Sequence, residues 1–85
     1  MAIIYTVSLY DDIDTLVAFR SKAKASKYLE QQMEELFKEE ELDEETQKRI
    51  HKEFKTNHNK EGFNFETDDG YSHFGCIRAI HYINR

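Results

Sequence analysis

The spacing of apolar residues changes twice along this chain, and that pattern limits the fold more than any other feature. Over the first ten residues it alternates. Ile3, Tyr5, Val7 and Leu9 fall on one side of an extended strand, and Ile4, Thr6, Ser8 and Tyr10 on the other. Asp11-Asp12-Ile13-Asp14 has turn chemistry, and Thr15-Leu16-Val17-Ala18-Phe19-Arg20 favours strand again, so residues 3–10 and 15–20 are expected to pair as an antiparallel hairpin. From Lys22 the period lengthens. Ala25, Leu29, Met33, Leu36 and Phe37, with Tyr28 beside them, form one stripe at helical spacing, and Ser21 is placed to cap its start. This helix is expected to reach Glu40.

Leu42-Asp43 reads as a break and a fresh cap. A second helix from Glu44 to Thr56 then carries a narrower stripe of Thr46, Ile50 and Phe54, and residues 57–62 have loop composition. Period two returns at Phe63. If Asp69-Gly70 forms a two-residue type I′ turn, Phe65 opposes Phe74 and Phe63 opposes Cys76, and all four share one side of the sheet with Ile80 and Tyr82. The last strand is apolar on its second side as well, through Ile77, Ala79 and Ile83, as suits a central strand or a homodimer surface. The order β-β-α-α-β-β in 85 residues predicts a single α+β domain, a four-stranded antiparallel sheet with both helices on one face. Five Tyr and six Phe supply large apolar areas for so short a chain.

One cysteine, Cys76, excludes a disulfide within the chain. The opening Met1-Ala2-Ile3-Ile4-Tyr5-Thr6-Val7 lacks the basic start and long apolar stretch of a secretory leader, and no apolar run has membrane-spanning length. The cytoplasm is therefore the expected compartment, without membrane association. Catalytic motifs are missing too. His73 and His81 share one face of the last strand while Cys76 points to the other, so the three do not converge on a metal or activate a thiolate. His51 and His58 read as surface residues. Asp11, Asp12 and Asp14 lack the glycine and distant glutamate of a calcium loop, and Gly62, Gly70 and Gly75 make no phosphate cradle. The expectation is a protein that is not an enzyme, with no catalytic residues, no metal and no cofactor.

Charge is the more informative feature. The net charge of −5 argues against general affinity for nucleic acid. Residues Arg20 to Lys27 hold Arg20, Lys22, Lys24 and Lys27 with no acid among them, the three lysines opening the first helix, while Glu34, Glu35, Glu39, Glu40, Glu41, Asp43, Glu44 and Glu45 crowd the end of that helix and the start of the next. The first helix thus opposes its own dipole, which favours acids at the N-terminus and bases at the C-terminus; the second obeys it, with Lys48, Arg49, Lys52 and Lys55 toward its end. An acidic ridge over those eight carboxylates is the expected partner-binding surface. The alternative is a small nucleic-acid-binding regulator using Arg20, Lys22, Lys24, Lys27, Lys48, Arg49, Lys52 and Lys55, and a third reading is a homodimeric structural accessory protein joined through the C-terminal strand.

Tyr5-Thr6-Val7-Ser8-Leu9-Tyr10-Asp11, then Leu16-Val17-Ala18, then the capped helix from Ser21 to Leu29, resemble short accessory proteins of Gram-positive phages and mobile elements, which often begin with a hairpin leading into a helix. The likeness covers the first third of the chain and matches no specific family. It implies a host protein as partner, since such proteins frequently bind host enzymes or regulators, and acidic ones include nucleic-acid mimics and anti-CRISPR inhibitors. No site residues are carried over from it.

Overall fold

The computed structural model describes residues 2–10 and 12–82. Strand β1, Ala2–Leu9, leads through a short 3-10 helix, Ile13–Thr15, into strand β2, Val17–Phe19. Helix α1 spans Lys22–Glu39 and helix α2 Glu44–Thr56, followed by strands β3, Gly62–Glu66, and β4, Ser72–Tyr82. The strands form one antiparallel sheet in the order β2-β1-β4-β3, so the fold is the α+β arrangement that the periodicity predicts.

The first hairpin closes differently from a tight turn. Asp12 caps the 3-10 helix by accepting from the Asp14 N–H at 3.0 Å, and the Thr15 hydroxyl accepts from the Leu9 N–H at 2.8 Å. Thr15 thus belongs to the connection and β2 shrinks to three residues, paired Tyr5 to Phe19 and Val7 to Val17.

Both helices begin at the anticipated caps. Ser21 Oγ accepts from the Lys24 N–H at 3.4 Å, and Asp43 Oδ1 from the Thr46 N–H at 2.8 Å. Helix α1 ends in a Schellman motif, with the Leu42 N–H donating to Phe37 O (3.1 Å) and the Glu41 N–H to Lys38 O (3.2 Å) while Glu41 adopts φ of 50°. The α1 stripe of Ala25, Leu29, Met33, Leu36 and Phe37 is buried throughout, joined by Ile50 and Phe54 of α2 and by Val7, Phe63 and Phe65 of the sheet. Thr46 is only half-buried.

The second hairpin corrects the expected register. The loop holds three residues, Asp68-Asp69-Gly70, not two. The Gly70 N–H donates to Thr67 O and the Thr67 N–H to Tyr71 O, each at 2.9 Å, and Gly70 takes φ of 86° after the turn. This is the bulged three-residue connection, and the added residue slides the pairing by one. Phe65 therefore opposes His73, Asn64 opposes Phe74, and Phe63 opposes Gly75. A one-residue slip exchanges faces. His73, Gly75, Ile77 and Ala79 take the helix side with Phe63 and Phe65, whereas Phe74, Cys76 and Ile80 turn to the uncovered side. Gly75 is what lets α1 settle there, since a Cβ would lie 2.8 Å from Leu9 Cδ2, 2.8 Å from Phe63 Cε1 and 2.9 Å from Leu29 Cδ1. Strand β4 is central, as its two-sided apolar pattern suggested, although Ile83 lies outside the described residues.

Candidate functional site, an acidic pole

Helices α1 and α2 fold back on each other. The Ser26 hydroxyl donates to Lys60 O at 3.0 Å, and Lys22 pairs with Glu61, which brings the start of α1 beside the end of α2. The opposite ends of the two helices meet at residues 40–43. Because α1 carries its charges against the dipole and α2 with it, folding back gathers acids at the end where α1 stops and α2 begins.

At the acidic pole a hollow is lined by Glu40, Glu41 and Asp43, and across it by Glu66, Asp68 and Asp69 from the β3–β4 hairpin. Leu42, Thr46, Thr67 and Arg49 complete its wall. Glu39, Glu44 and Glu45 are exposed in the flanking helical turns. The acidic surface is thus built from two segments far apart in sequence, residues 39–45 and residues 66–69. The hairpin's share is not apparent from residue spacing, because Asp68-Asp69-Gly70 has turn chemistry in its own right. Glu34 stands apart, its carboxylate 3.6 Å from His51 Nε2, and Glu35 is exposed on α1 before the last turn. The Thr46 hydrogen bonds hold the Asp43 carboxyl below its ordinary value of 3.8, so it stays charged into mildly acidic solution.

The basic residues are divided. Lys22 and Lys27 line a groove with Lys60, but Glu30 and Glu34 share it. Lys48, Lys52 and Lys55 lie along the exposed face of α2, Arg20 and Lys24 are exposed near the start of α1, and Arg49 belongs to the acidic hollow. The eight do not form one surface.

The candidate chemistry on β4 is also resolved. Cys76 is half-buried on the uncovered sheet face, 3.8 Å from Ser8 Oγ, so it is less enclosed than a core cysteine. His73 faces the helices, stacked on Phe65 with ring centroids 5.2 Å apart, while His81 is exposed. The Tyr10 hydroxyl is hydrogen-bonded to His73 Nδ1, and Glu40 Oε1 lies 3.1 Å from the buried Nε2, off the line of a hydrogen bond. Burial, then the charges of Glu39 and Glu40, raise the Tyr10 pKa above 10.0. This trio fastens the end of α1 to the sheet and leaves the ring little access to solvent. Among the described residues no helix is long and apolar enough to cross a membrane.

Compared with known proteins, the chain matches no family, no curated protein and no solved structure.

Proposed function

We propose that this chain is a non-catalytic protein-binding module whose acidic pole docks on a basic surface of another protein, one that ordinarily handles nucleic acid. The observation that carries this reading is the convergence of carboxylates from the α1 end, the α2 start and the β3–β4 loop on one hollow. Such a field steers a basic partner and favours encounter over long range. Two local costs support it. The α1 end opposes the helix dipole through Glu39, Glu40 and Glu41, and Glu41 occupies a left-handed position that glycine fits best. The resemblance of the first third to phage accessory proteins makes a host protein the expected partner, with inhibition of the anti-CRISPR or nucleic-acid-mimic kind as the outcome, in the cytoplasm.

The test is affinity capture from a host-like lysate treated with nuclease, followed by titration of the captured partner. Affinity is expected to fall as salt rises. It is lost when Glu39, Glu40, Glu41, Glu44 and Glu45 become Lys, and weakened by Asp68→Lys with Asp69→Lys, which leaves both helices unaltered. Undiminished binding by both variants rejects the acidic pole.

A second reading, a homodimer, is favoured by the uncovered sheet face. Ile13 is 81% exposed, with Leu16 and Ile80 each 47% exposed beside it.

A further inference from the structure

Away from the acidic pole, α1 and α2 bring together a different set of side chains. Glu30 and Glu34 stand one turn apart on α1, and His51 faces them from α2. One ligand atom from each lies within 4.8 Å of the other two. Glu34 Oε1 and His51 Nε2 are already 3.6 Å apart, close to the separation of about 3.4 Å that zinc bonds impose on neighbouring ligands in a tetrahedron. Like charges at this helical spacing destabilise a helix. Among the described residues neither carboxylate has a lysine or arginine at ion-pair distance, although Lys27 and Lys38 stand three and four positions away. His51 is half-buried and fixed edge-on against Phe37, centroids 5.5 Å apart, so its ring is oriented by the core.

We propose that Glu30, Glu34 and His51 bind a divalent transition-metal ion of the zinc class, which ties α1 to α2. One imidazole nitrogen with two carboxylate oxygens suits such an ion better than calcium or magnesium, which take oxygen alone. A cation there neutralises the paired glutamates and cross-links two helices that meet through apolar packing, the Phe37–His51 ring contact and the approach of Glu34 to His51. The site is independent of the acidic pole. A protonated His51 paired with Glu34 satisfies the same geometry without an ion, and the experiment separates the two.

Tag-free protein, stripped with chelator, is titrated with Zn²⁺ by calorimetry at neutral pH, and with Co²⁺ read by visible absorption. One saturable site per chain is expected, together with a higher thermal midpoint when metal is bound. His51→Gln and the exposed Glu34→Gln are expected to bind at least about tenfold more weakly. His58→Gln and His81→Gln, both at exposed positions, bind as the parent does. Absence of saturable binding at millimolar Zn²⁺, or binding that survives Glu34→Gln and His51→Gln undiminished, overturns the proposal.

Discussion

Glu41 shows what one residue can cost. A non-glycine residue in the left-handed region loses roughly 1–2 kcal/mol to the contact between its Cβ and the backbone. Here that conformation closes α1, and the Schellman hydrogen bonds with half-buried Leu42 hold it in place. Glu41→Gly is expected to raise stability by about 1 kcal/mol in urea denaturation. If the acidic pole is used, the same variant binds its partner less well, a gain and a loss from one substitution. Tyr10, with φ of 57°, is a related case. Strand alternation placed it on the uncovered face, yet the turn in its backbone carries its hydroxyl to His73 on the helix side, and nothing in residue spacing signals such a departure.

The caps and stripes of both helices were legible, because N-capping and a 3.6-residue period act locally. Ser21 and Asp43 cap the helices they were expected to cap, and Ala25, Leu29, Met33, Leu36 and Phe37 of the α1 stripe are buried, with Tyr28 partly so. The β3–β4 register was not legible. Asp-Gly suits a type I′ turn with two loop residues and equally a type I turn followed by a left-handed glycine; the two differ in whether Phe74 and Cys76 or His73 and Gly75 join Phe63 and Phe65 beneath the helices, which is a matter of tertiary packing. Asp43 offers a test of the cap. Its folded pKa lies below 3.8, so the stabilisation is present above that value and is lost as pH falls through the lower folded one. Asn caps comparably and does not titrate. The advantage of the parent over Asp43→Asn is therefore expected to be greatest near neutrality and to shrink in acid below 3.8, as read from urea midpoints across the pH range.

For the molecule as a whole, the two charge blocks were plain in the sequence, but their arrangement was not. That α1 and α2 run back alongside each other, and that the β3–β4 loop reaches the same end, are tertiary facts, so residue spacing alone places neither Glu66, Asp68 and Asp69 nor Arg49 beside the acids of residues 39–45. The placement of Glu30 and Glu34 against His51 was hidden for the same reason. The homodimer reading belongs to this scale. If the uncovered face joins two copies, sedimentation at high concentration shows a dimer that Ile80→Lys with Leu16→Asp converts to monomer; a monomeric parent removes that reading.

Helices on one side only leave the protein a single seam of apolar side chains, with Leu29 seated against Gly75 near its middle. Among the described residues no second buried cluster stays shut while the first opens. The sheet and the helical layer are therefore expected to come apart in one step.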